Sequence, residues 1–101
     1  MQVNIKATKV PLQPELKSLI QEKFSGLSKY YDRILSVDVE VGLEVNGQRK
    51  GDIYFCEGNV NVPGKLLRYR KAFGDLTKAI NGVHKGLQQE LSEEKEKNKQ
   101  K

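Results

Sequence analysis

The sequence predicts an α+β fold: a two-layer β-α-β-β-β-α sandwich with a four-stranded mixed sheet and both helices on one face. Three observations predict it. Segments at 1–9, 37–45 and 66–70 alternate between two faces with a period of two, and two longer segments carry apolar stripes at helical spacing. The elements run strand, helix, three strands, helix. A strand–helix–strand start closes as a right-handed crossover with parallel strands, and short turns make the later pairs antiparallel. Both helical stripes then cover one sheet face and leave the other open and charged.

In the first strand Val3, Ile5 and Ala7 alternate with Gln2, Asn4 and Lys6. Pro11 ends it, and Pro14 suits a first helical turn, where its missing N–H is not needed. Leu16, Leu19, Ile20, Phe24, Leu27, Tyr30 and Tyr31 then gather on an apolar arc of about 140° at about 100° per residue. Lys23 falls inside that arc, either as a stem at the core edge with its ammonium reaching water or as a cation held toward a fixed partner. Val37, Val39, Val41, Leu43 and Val45 form the second strand, with Asp38, Glu40 and Glu44 on its outer face. Asn46-Gly47 is a hairpin signal, extended through Gly51 into a loop with Arg49 and Lys50. A return strand covers 52–62, and Pro63-Gly64 turns into "KLLRYRKAF". There Leu67 and Tyr69 face inward, and Leu66, Arg68 and Arg70 face outward, where the arginines can pair with acids on neighbouring strands.

Asp75 is placed to cap the last helix, whose stripe is Leu76, Ala79, Ile80, Val83, Leu87 and Leu91. Gly82 and Gly86 weaken it by roughly 1 kcal/mol each relative to alanine. Glu94 continues the stripe, so packing is expected to end near Leu91. One domain at 1–91 and a polar charged tail at 92–101, helical through Glu/Lys pairs or frayed, follow.

Composition narrows the function. The 101-residue chain carries a net charge of +5, which favours a polyanionic partner. No apolar run approaches the roughly 20 residues of a membrane span, and the single Cys56 allows no internal disulfide, so a cytoplasmic protein without membrane association is expected. Chemistry is sparse. His84 is the only histidine, at the border of the last stripe, and reads as a solvated helix residue. One Cys and one His make no zinc shell. "GNVNVPGKL" misses the phosphate-loop spacing and puts Leu66 where a hydroxyl is needed, and "KGDIYF" matches only the opening of an RNA-recognition signature. No catalysis, cofactor, metal or small-molecule substrate is expected, and binding leads. Lys17, Lys23, Lys29 and Arg33 lie off or beside the first stripe, and Lys78 and Lys85 share an outer face of the last helix. That spacing can follow a phosphate backbone, though a plain solvated surface gives the same pattern.

"MQVNI", "EKFSGLSKYYDRI", "VNVPG" and "AINGVHKGLQQEL" resemble the short ribosome hibernation-promoting factor and ribosome-associated inhibitor A (sigma-54 modulation protein) family over about nine-tenths of the chain. The resemblance implies a fold similar to double-stranded-RNA-binding domains and a translation inhibitor of idle, stationary-phase ribosomes. It also implies occupation of the decoding region of the small ribosomal subunit, with ribosomal RNA gripped by both helices and the protein monomeric off the ribosome. The family's first-helix positions correspond to Lys23, Gly26 and Lys29. On the last helix Gly86, Gln89 and Glu93 stand where the family is usually basic, leaving Arg33, Lys78, Lys85, Arg68, Arg70 and Lys71 to complete an RNA-binding set with Lys23 and Lys29. The alternative is a divergent paralogue that binds a protein partner through its open sheet face.

Overall fold

Alternation along each strand becomes rows of side chains across the sheet. In the computed structural model, which describes residues 2–44 and 53–99, the strands are β1 (Gln2–Thr8), β2 (Ser36–Glu44), β3 (Ile53–Val62) and β4 (Lys65–Phe73). They pair in the order β1-β2-β3-β4, with β1 parallel to β2 and the other pairs antiparallel, as the crossover argument requires. Val3, Val37, Val60 and Leu67 form one inward row, and Ile5, Val39, Gly58 and Tyr69 form the next. The helices α1 (Pro14–Ser25) and α2 (Leu76–Lys99) cover that face, α1 over β1 and α2 over β3 and β4. Ile20, Phe24 and Leu27 meet Ala79, Ile80, Val83, Leu87 and Leu91 there, all fully buried. Val45, the Asn46-Gly47 turn, Arg49, Lys50, Gly51 and Asp52 lie outside the described residues.

Gly58 makes the layers fit. A Cβ there would stand 2.6 Å from Leu87 Cδ1 and 3.0 Å from Val83 Cγ1, so the missing side chain leaves the dent in which α2 sits. Gly64 serves the turn, at φ +76°, a backbone region that glycine adopts without steric cost. Asp75 caps α2 as expected, its Oδ1 accepting the Thr77 backbone N–H at 2.8 Å.

One element differs from the sequence expectation, and the tail takes the helical one of its two expected forms. The helical spacing through Tyr31 is not one α-helix: at Gly26 the chain tightens into a 3-10 turn, Gly26–Lys29. Ser25 and Ser28 hydroxyls donate back to the Glu22 and Ser25 carbonyls at 3.1 Å, local side-chain-to-backbone bonds that accompany the tightening. At the other end α2 continues as helix to Lys99. Leu91 is the last fully buried residue of the stripe, but Glu94 keeps its place on it because Lys65 Nζ on β4 meets its carboxylate at 3.0 Å. An acid is tolerated at the core's margin when a cation from another element reaches it.

Candidate nucleic-acid interface

Residues 23, 26 and 29 are three apart, a spacing that keeps side chains on one side of a helical segment even as α tightens to 3-10. The structure brings Lys23, Gly26 and Lys29 together along a cleft of about 340 Å³ between the α1 segment and α2, with Leu19, Glu22, Tyr30 and His84 completing the lining. Lys23 is half-buried and Lys29 exposed. The oddly placed lysine thus lays its stem over the core edge and still reaches the cleft. A Cβ built on Gly26 would meet nothing within 4 Å, so that position leaves the cleft floor open. Among the described residues neither lysine takes part in an ion pair, and neither do Lys78 and Lys85, both exposed on the outer side of α2.

His84 is not the solvated residue that the α2 pattern suggests. It is half-buried, its ring edge-on to Phe24 with centroids 5.8 Å apart at 84°. Burial first, and then the Lys23 charge, hold its pKa below the ordinary 6.5, opposed by hydrogen bonding to the Lys23 backbone. A wheel drawn for α2 alone could not show this, because the neighbour that buries the ring lies on α1. Glu22 lines the same cleft, and Lys23 is the charge that acts on His84.

The remaining cations divide between surfaces. Arg33 is exposed just beyond the 3-10 turn. Lys71 lies on the helix side of β4, its stem 3.5 Å from where a Gly82 Cβ would be and its ammonium 5.5 Å from the Tyr69 ring centroid. Arg68 and Arg70 stand on the opposite face of the sheet. Arg68 Nε donates to Asn59 at 2.9 Å. Arg70 pairs with Glu44 at 3.0 Å and Glu57 at 3.9 Å and lies over the Phe55 ring at 4.2 Å. The cross-strand pairing with acids that the sequence opens to these arginines is found at Arg70, whereas Arg68 reaches the Asn59 amide oxygen instead.

Gly86, Gln89 and Glu93 also gather in one place, a depression shared with Tyr69 and Glu90. Glu90's carboxyl is held above its ordinary range by burial and then by the Glu93 charge. Gly86 has a packing reason: a Cβ there would strike the Tyr69 ring, so α2 lies flush on β4 at that point. Beyond Lys85, α2 therefore carries an acidic patch at Glu90 and Glu93 before lysines return at Lys95 and Lys97. Among the described residues no group of three or more His, Cys, Asp or Glu could hold a metal ion, and no helix is long and apolar enough to cross a membrane.

Fold and cleft together define a β-α-β-β-β-α module that presents from its helical layer lysines without an ion pair among the described residues. Residues 3–99 match the family described as Sigma 54 modulation protein / S30EA ribosomal protein, and the chain belongs to that family. It is 29% identical to the ribosome hibernation promoting factor of Klebsiella oxytoca over 99% of both chains. It is 30% identical to the protein of that name from Azotobacter vinelandii, over 96% of this chain and 85% of the relative. A ribosomal subunit interface protein from Coxiella burnetii has the same fold, with a TM-score of 0.78 at 20% identity over 94% of this chain and 98% of that one. So does the N-terminal domain of Thermus thermophilus Protein Y, with a TM-score of 0.72 at 20% identity over 92% and 98%.

Proposed function

We propose that this chain is a cytoplasmic ribosome hibernation factor that occupies the decoding region of the small subunit and acts by occlusion instead of catalysis. The observation that carries this reading is the convergence of Lys23, Gly26 and Lys29, the positions matching the family's first-helix contacts, on one cleft whose lysines are free of ion pairs among the described residues. Lys23 and Lys29 grip ribosomal RNA phosphates in the cleft, and Lys78 and Lys85 extend the contact along α2. Such contacts position the protein without reading base sequence. Arg68 and Arg70, committed to the other sheet face, are left out of this surface. Relatives bearing the hibernation name across nearly the whole chain support the assignment.

Charge reversal tests it. Lys23→Glu combined with Lys29→Glu should abolish co-sedimentation with vacant ribosomes at low salt while leaving the fold intact by circular dichroism. For the unaltered chain the logarithm of affinity should fall with the logarithm of salt by about 0.7–0.9 per phosphate neutralised. Undiminished pelleting of the folded double variant would remove the helical cleft from the interface.

A further inference from the structure

We propose that His84 is a proton-gated phosphate ligand of the cleft between α1 and α2, so that the chain's grip on ribosomal RNA tightens as the pH falls. This rests on the reading that the cleft docks on ribosomal RNA. The argument starts from placement. His84 comes from a different element than Lys23 and Lys29, yet packing of the two helices brings it into the same concave surface. Its ring is braced rather than free, packed edge-on against Phe24. Two ammonium groups and a fixed imidazole around one opening form a set suited to an anion with several acceptor oxygens, and a protonated imidazole would give the cleft a further charged N–H donor.

The groups that face this ring decide when it charges. From α1 they are Glu22 and Lys23, from the 3-10 turn Lys29, and just after it Tyr30. Along α2 the residues one turn away, Ile80, Asn81, Leu87 and Gln88, are uncharged, and Lys85 is the adjacent cation. Burial and the Lys23 charge disfavour the imidazolium in the free chain. A phosphate seated between the lysines reverses that second effect, because its negative charge offsets Lys23 and favours a proton on the ring. The bound state then holds a proton that the free state lacks. Affinity must therefore rise as pH falls through the interval between the bound and free pKa values, by at most about tenfold per pH unit for one proton.

The test is co-sedimentation of the full chain with vacant ribosomes at about pH 8 and about pH 6, the range in which histidine alone among unperturbed side chains changes charge. The unaltered chain should bind at least about fivefold tighter at the lower pH. His84→Gln, polar but not protonatable, should show an affinity that no longer rises between the two pH values. His84→Phe, which keeps a ring against Phe24, should lose the gain equally and decides the matter if the glutamine variant fails to fold. An equal pH response in the unaltered chain and the folded variants, or a pH-independent unaltered chain, overturns the role of His84 and leaves the cleft reading standing. Absence of ribosome binding by the folded, unaltered chain at both pH values overturns the cleft reading and this inference together.

Discussion

Two glycines on the helical layer make opposite predictions when each is changed to lysine. Gly26 has φ −67° and ψ −12°, right-handed values open to any residue, and a Cβ there meets nothing within 4 Å. Gly26→Lys should therefore stabilise the chain by about 0.4–1 kcal/mol by reducing the freedom of the unfolded backbone. It also places a third ammonium in the cleft beside Lys23 and Lys29. One more phosphate neutralised steepens the salt dependence by about 0.7–0.9, so a fourfold drop in salt should widen the variant's affinity advantage by about threefold. Gly86→Lys is the contrast. Its Cβ would strike Cε1, Cζ and Cδ1 of Tyr69, so the ring or the helix must shift. Overpacking of about 1–3 kcal/mol outweighs or cancels the roughly 1 kcal/mol of helix propensity gained. Gly86→Lys should melt at or below the unaltered chain, by several degrees if the full strain is felt, and Tyr69→Ala in the same chain should relieve the clash. Thermal melts followed by ribosome pelleting across a salt series read both arms. A Gly86→Lys chain that melts above the unaltered protein, or a Gly26→Lys chain with a flatter salt slope, would refute the geometry.

Arg70→Ala removes a guanidinium stacked on Phe55 and paired with Glu44 and Glu57 at partly exposed positions, so it should cost about 1 kcal/mol in chemical denaturation and leave ribosome pelleting unchanged. Lost pelleting by the folded variant would return the open sheet face to the interface. Cys56, fully buried, has its thiol pushed up to about 12, by burial first and then by Glu57. It should resist thiol reagents at mildly alkaline pH until the chain unfolds. Because the folded pKa lies above the ordinary 9.0, its contribution is complete below that value and fades as pH rises toward 12; rapid stoichiometric labelling of the native chain would contradict this burial. Lys65→Met should speed amide exchange in α2 around Glu94 with little change in the melting point, since the hydrogen bond to Glu94 raises the Lys65 pKa and tethers the helix at a single exposed side chain. That tether is complete below the ordinary lysine pKa of 10.5 and weakens as pH climbs above it. Unaltered exchange would show the helix end holding without it.

Local chemistry determined the elements. The valines of β2 alternate because a strand's side chains alternate, the Asp75 cap and Pro63-Gly64 turn lie within a few residues of the bonds they make, and the three-residue spacing of Lys23, Gly26 and Lys29 places them on one side of a helical segment whatever packs beside it. Each of these is a short-range property, legible without knowing the neighbour. What the tertiary structure alone decided joins residues far apart in sequence: His84 against Phe24, Glu94 with Lys65, Gly86 under Tyr69, Gly58 under Leu87. The period of a helix says which face is apolar, but not which side chain of another element will bury a histidine at the stripe's border or compensate an acid upon it. That depends on how closely two elements approach, which here is set by the glycines that let α2 settle onto the sheet.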